Sequence, residues 1–123
     1  MHELGLATEI HRRARVHVEA NAPARLARVV VAVGELSAVE PDLLRFAWQA
    51  VTEGSADDGA VLEIDWCVAR QQCMSCGETP ARATGAWLPL CPTCGAPLSI
   101  EGGTELDLLR VILTVDEHAE SAP

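Results

Sequence analysis

The sequence predicts an α+β fold of the α/β type, in which a small sheet carries two helices and an inserted ribbon-like lobe interrupts the chain before its last strand. Three observations predict it. Two stretches repeat apolar residues at helical spacing, and three others are β-branched or alternating. The residues between about 70 and 100 follow neither pattern and hold two Cys-x-x-Cys pairs. With 123 residues, 49% hydrophobic and 22% charged, the chain can bury one domain-sized core.

Leu4, Ala7, Ile10, Ala14 and Val18 form one apolar stripe and predict a helix through the first twenty residues. Asn21-Ala22-Pro23 ends it, because Pro cannot continue the hydrogen-bond ladder and restrains the residue before it. Arg25–Val33 is nearly continuous in β-branched residues and reads as a strand covered on at least one face, broken by Gly34. Ser37-Ala38-Val39-Glu40 reads as a capping box with Pro41 in the first turn beyond it. Leu44, Ala47, Trp48 and Val51 then supply the apolar face of a second helix, ending at Gly54. Beyond a polar loop, Leu62, Ile64, Trp66 and Val68 alternate with Val61, Glu63, Asp65 and Cys67, the pattern of a half-buried strand.

Leu106–Val115 is the last strand, and the strands flanking the insertion are expected to pair directly. The chain thus divides into a discontinuous α/β unit of residues 1–69 and 101–116, a lobe of residues 70–100, and a disordered tail, 117–123, with nothing to bury.

Nine arginines and no lysine stand against 18 acids, a formal charge of −9. That balance excludes partners bound by neutralising phosphates, so neither nucleic acid nor an anionic membrane surface is expected. No apolar run approaches the roughly 18 residues of a membrane span. Met1-His2-Glu3-Leu4 lacks the basic and apolar regions of a signal peptide, and the expectation is a soluble, cytoplasmic protein.

In a reducing compartment, Cys73-Met-Ser-Cys76 and Cys91-Pro-Thr-Cys94 read as a metal site. Two residues between ligands let one tight turn aim both sulfurs at one ion, and four thiolates suit tetrahedral Zn²⁺. Gly77 and Gly95 follow the second cysteine of each pair, where positive φ turns backbone N–H groups toward the sulfurs. A closed site is structural, and binding energies on the order of 10–16 kcal/mol are ample to fold a lobe too short for its own core. The same knuckles suit a single iron, as in a rubredoxin-like electron-transfer site. Cys67 falls outside the knuckle spacing and reads as a free, packed thiol.

His2 draws meaning from its place. The α-amine of Met1, the backbone nitrogen of His2 and its imidazole form a fused, planar set of three nitrogens that suits Ni²⁺ or Cu²⁺. Glu3 is placed to add a carboxylate oxygen or to hold the imidazole. His11, His17 and His118 read as structural or solvated. No Ser/His/Asp or Cys/His arrangement and no phosphate loop is present, so nothing reads as an enzyme.

Met1-His2-Glu3-Leu4, Gly34-Glu35-Leu36-Ser37-Ala38-Val39 before a helix containing Phe46, the Cys73/Cys76 and Cys91-Pro-x-Cys94-Gly95 knuckles, and Gly103-x-Glu105-Leu106 before an apolar strand together resemble the HypA/HybF family. These are the nickel-incorporation accessory proteins of NiFe hydrogenase maturation, and the likeness covers nearly the whole chain. The resemblance implies a small nickel-binding α/β domain with a zinc lobe inserted before its last strand. It implies nickel on His2 and zinc on Cys73, Cys76, Cys91 and Cys94. It also implies a metallochaperone that works with an accessory GTPase and delivers Ni²⁺ to the hydrogenase large-subunit precursor; some members also serve urease maturation. A homodimer is left open.

The rival readings are a zinc-ribbon interaction module without a nickel role and the iron electron-transfer site. A nucleic-acid ribbon needs a basic, aromatic-bearing surface, and the lobe offers only Arg70, Arg82 and Trp87. Four thiolates around Zn²⁺ add a further charge of about −2 there.

Overall fold

The computed structural model describes residues 2–115 as α1 (His2–Ala20), β1 (Ala24–Gly34), α2 (Pro41–Thr52), β2 (Val61–Cys67), β3 (Arg70–Cys73), β4 (Leu98–Glu101) and β5 (Leu106–Val115). The α-amine of Met1, His118 and the expected tail at 117–123 lie outside the described residues.

The larger sheet has the order β2-β1-β5. β1 is central, parallel to β2 with Val29 opposite Leu62, and antiparallel to β5 with Val29 opposite Val111. The strands flanking the insertion therefore do not pair with each other. β1 leads through α2 into β2, and such a crossover delivers the next strand parallel to the first. That occupies one side of β1, and β5 takes the other. The near-continuous apolar run Val29–Val33 suits this central place.

Both helices cover one face of the sheet. Leu26, Val29, Val31 and Val33 of β1 meet Ala7, Ile10, Ala14 and Val18 of α1 and Leu44, Ala47 and Trp48 of α2 in a single core. Ala7 and Ala14 are fully buried, small enough to let α1 lie close to its neighbours. Leu4 departs from the expected stripe and is 41% exposed; it lies outside the core cluster, and Leu6 packs against that cluster instead. In β2 the alternation holds for Leu62 and Ile64 but fades at Trp66 and Val68, which are exposed past the end of the core.

Among the described residues no helix lies on the opposite face of the sheet, which mixes charged side chains with exposed Val61 and Ile112. Arg28 meets Glu63 at 2.8 Å, while Val30 lies between Glu63 and Arg110, and Ala32 between Asp65 and Asp107.

The N-cap of α2 is Glu40 and not Ser37. Glu40 Oε2 accepts from the Leu43 amide at 2.8 Å, whereas Ser37 Oγ accepts from Val39 at 3.3 Å. Pro41 decides this: it holds the preceding residue extended, which is the conformation a cap requires. Past α2, the buried Asp57 ties the loop to α1, with His11 Nε2 at 2.7 Å and Arg15 Nη1 at 3.1 Å. His11 also stands edge-on to Trp48, whose indole N–H donates to Ala60 O at 2.8 Å, so His11 is structural.

The smaller sheet pairs β3 with β4, Arg70 opposite Glu101 through Cys73 opposite Leu98. Four residues are too few for alternation to show, and neither strand was expected. Gln71, 5% exposed, does the work of an absent apolar core by bonding both the N–H and C=O of Leu88, at 2.9 and 3.0 Å.

Candidate metal centre

The loops at residues 73–77 and 91–95 are near copies. Gly77 N donates to Cys73 O at 2.9 Å and Gly95 N to Cys91 O at 2.8 Å, with φ of 80° and 78° at the two glycines. Cys73 N and Cys91 N donate to Glu78 O and Ala96 O, both at 2.8 Å. Each knuckle thus folds on itself through backbone bonds and presents two sulfurs on one side.

The four sulfurs converge. Cys73 Sγ lies 3.4 Å from Cys94 Sγ and Cys76 Sγ 3.7 Å from Cys91 Sγ, with all four within 4.8 Å of one another. Tetrahedral Zn–S bonds of about 2.3 Å place sulfurs about 3.8 Å apart, so the arrangement fits a single ion. The thiols compete for ionisation. The Cys76 amide and neighbouring groups draw Cys73 down to about 6. Cys76, although bonded by the Glu78 amide, is driven up to about 12 by burial and the adjacent sulfurs. A dication removes that conflict, because it favours all four thiolates together. Among the described residues no other group of three or more Cys, His, Asp or Glu side chains comes close enough to share an ion. Cys67 is half-buried and free, near Asp65 O at 3.5 Å, and burial with nearby Glu105 and Asp65 raises its thiol.

The larger sheet and the segments flanking the smaller one meet at a close backbone crossing. Gly34 N donates to Glu105 O at 2.7 Å and Leu36 N to Gly103 O at 2.6 Å. A Cβ on Gly34 would stand 2.1 Å from Gly103 O, and one on Gly103 2.6 Å from Ala69 Cβ, so both positions require glycine. Next to this crossing the Glu35 carboxylate is 6% exposed and accepts from Ala69 N at 3.0 Å, Gly85 N at 2.7 Å and both terminal nitrogens of Arg82. Arg82 also donates to Ala69 O at 2.7 Å and stacks over Trp87 at 3.9 Å. The guanidinium, then the surrounding amides, hold Glu35 at about 2. Sequence reasoning missed this clasp; its one signal was a lone Arg and a lone Trp in an uncharged stretch. It also spends on internal contacts two of the three side chains a nucleic-acid surface would have used.

His2 opens α1 with its imidazole 56% exposed, and Nδ1 lies 3.8 Å from Glu3 Oε2. Glu3 Oε2 accepts from the Glu40 amide at 3.3 Å, so the beginnings of the two helices lie side by side. These amides, with that of Glu3 itself first, lower the Glu3 carboxyl below its ordinary value.

A helix-backed sheet joined to a four-sulfur ribbon defines a small metal-handling protein, and among the described residues no helix is long and apolar enough to cross a membrane. The family described as hydrogenase/urease nickel incorporation, metallochaperone, hypA, matches residues 1–113, and the chain belongs to that family. It is 38% identical over 114 residues to the hydrogenase maturation factor HypA of Dechloromonas aromatica (strain RCB), covering 90% of this chain and 97% of that one. Against the HypA of Methanococcus aeolicus it is 31% identical over 123 residues, covering 95% and 100%. Its fold is similar to a solution structure of a HypA protein, with a TM-score of 0.63 at 25% identity over 94% of this chain and 98% of that one. It also matches the fold of the Helicobacter pylori Ni metallochaperone HypA, with a TM-score of 0.58 at 23% identity over 93% and 98%.

Proposed function

We propose that this protein carries Ni²⁺ at its N-terminus and passes it to the hydrogenase large-subunit precursor in concert with an accessory GTPase, as a carrier in the cytoplasm and not as a catalyst. In this reading residues 1–69 and 101–116 form the nickel-binding unit. Residues 70–100 form a lobe in which Cys73, Cys76, Cys91 and Cys94 hold structural zinc. Iron would fit four sulfurs as well, and membership in a metallochaperone family speaks for zinc.

The observation that carries the nickel reading is the exposed His2 imidazole at the first position of α1, beside Glu3. The first four N–H groups of a helix have no intrahelical acceptor, so the His2 amide can release its proton to solvent and bind a metal through nitrogen without breaking a helical bond. The α-amine of Met1 and the imidazole then complete a planar three-nitrogen chelate. The positive end of the helix dipole disfavours a cation there, and the carboxylate of Glu3, in the first turn of α1, offsets it. A cargo site needs affinity with release, and a few ligands at the chain's leading end provide both.

Calorimetry tests this. Ni²⁺ titrated into zinc-loaded protein binds the natural chain, and His2→Ala abolishes the binding while zinc content stays the same. Unchanged nickel affinity in His2→Ala overturns the assignment.

A further inference from the structure

The two cysteines of each knuckle differ in their surroundings. Cys73 and Cys91 are buried, whereas Cys76 and Cys94 are exposed. Bound zinc keeps all four sulfurs as thiolates, and susceptibility to oxidation follows thiolate character and exposure. A small oxidant therefore meets one cysteine of each knuckle first and has a second sulfur close behind it.

The geometry sets which sulfur that is. Cys94 Sγ lies 3.4 Å from Cys73 Sγ and Cys76 Sγ 3.7 Å from Cys91 Sγ, so each exposed cysteine is matched to a buried one of the other knuckle. Inside the first knuckle the Cys76 amide donates to Cys73 Sγ at 3.4 Å, so Cys76 engages that buried sulfur through its backbone. A disulfide spans about 2.05 Å, and each cross pair closes by about 1.5 Å to reach it. The loops have room for that shift, since a Cβ added to Gly77 or Gly95 would meet nothing within 4 Å.

We propose that the four-sulfur cluster is also an oxidative modification site, where peroxide attacks Cys76 and Cys94 and leaves the bridges Cys73–Cys94 and Cys76–Cys91 in place of zinc. The inference rests on the zinc reading of these cysteines. Each bridge forms in two steps. An exposed thiolate attacks hydrogen peroxide, breaks its O–O bond, becomes a sulfenic acid and releases hydroxide. The buried thiolate then attacks that sulfur, forms the S–S bond and displaces a second hydroxide. One peroxide is reduced for each sulfur pair oxidised. The first bridge removes two of the four ligands, and the site gives up its zinc. Because both bridges run between the knuckles, the oxidised lobe stays closed where simple chelation opens it. The competing target is Met74, 76% exposed inside the first knuckle, whose sulfoxide would leave the zinc ligands untouched.

Treating the zinc-loaded full chain with hydrogen peroxide tests this. Zinc is measured before treatment, its release is followed with a chromogenic chelator, and bridges are mapped by mass spectrometry after the remaining thiols are alkylated. The expected result is complete loss of zinc, bridges Cys73–Cys94 and Cys76–Cys91, an alkylated Cys67, and full zinc uptake after reduction by a thiol. Met74→Leu is expected to lose zinc at the natural rate. Zinc kept while Met74 alone is oxidised overturns the proposal. So do bridges within a knuckle or to Cys67, sulfurs that oxidise further without bridging, and a Met74→Leu chain that keeps its zinc. A chain that holds no zinc before peroxide is added overturns the zinc reading and the proposal with it, whereas zinc held before and after overturns the proposal alone.

Discussion

Glu35 stands directly after the central strand, and Arg82 in the loop between the two Cys pairs; their buried pairing joins distant parts of the chain. Because Glu35 is held at about 2 against an ordinary 4.5, unfolding takes up a proton in that interval. The pair's contribution is complete above pH of about 4.5 and falls away as the pH drops toward 2. Glu35→Gln is therefore expected to melt below the natural protein at pH 7, with the gap closing as the solution is acidified. Acid also releases zinc from both proteins, so the difference between the two melting curves is the quantity to follow. A gap independent of pH contradicts the clasp.

Gly34→Ala is the sharpest single-residue test of the crossing. The new Cβ meets backbone and not a flexible side chain, so a loss of about 3 kcal/mol or more is expected in denaturant unfolding. A neutral result means that the two segments do not cross this closely.

The helices and the central strand were legible because their signals are local. Leu44, Ala47 and Trp48 recur with the helical period, and those residues are buried. The true cap was not legible, since Ser37 and Glu40 both fit a start signal and only the backbone around Pro41 chooses between them. Glu40→Ala is expected to cost about 1 kcal/mol, the usual worth of a cap, and Ser37→Ala much less, read from denaturant midpoints. A larger loss at Ser37 than at Glu40 would restore the capping box. Leu44→Ala, at a fully buried position, is expected to cost about 2–5 kcal/mol by the same measurement.

The order of the sheet, the β3–β4 pair and the Glu35–Arg82 clasp were hidden, because each depends on contacts between residues far apart in sequence. Edge-on patterns such as that of β5 do not say which neighbour a strand will take, whereas a strand–helix–strand unit does. The Cys knuckles are the opposite case: a two-residue spacing followed by glycine sets sulfur geometry almost alone, and the four sulfurs do converge. The proposed His2 site rests on chemistry and position; what the structure adds is Glu3 beside the imidazole and the Glu40 amide on the Glu3 carboxylate.

At the scale of the molecule, the region around the sulfur cluster is held by backbone bonds, Gln71 and the clasp, while the apolar core belongs to the helices and the larger sheet. Chelating the zinc is expected to disorder residues around the knuckles while the helices persist. Amide exchange checks this: fast exchange confined to residues near 73–95 agrees, and loss of protection throughout α1 and β1 contradicts it. On the zinc reading purified protein is expected to be colourless, whereas a red protein that bleaches on reduction would place iron on the sulfurs.

The central claim is that nickel cargo and structural zinc occupy separate sites, one of them built on the free N-terminal amine. Native mass spectrometry of untagged, zinc-loaded protein beside a form extended by one residue ahead of Met1 tests it most directly. The account predicts that the natural chain adds nickel while keeping zinc, and that the extended chain keeps zinc and adds none. Nickel bound equally by the extended chain, or nickel gained only as zinc is lost, contradicts it.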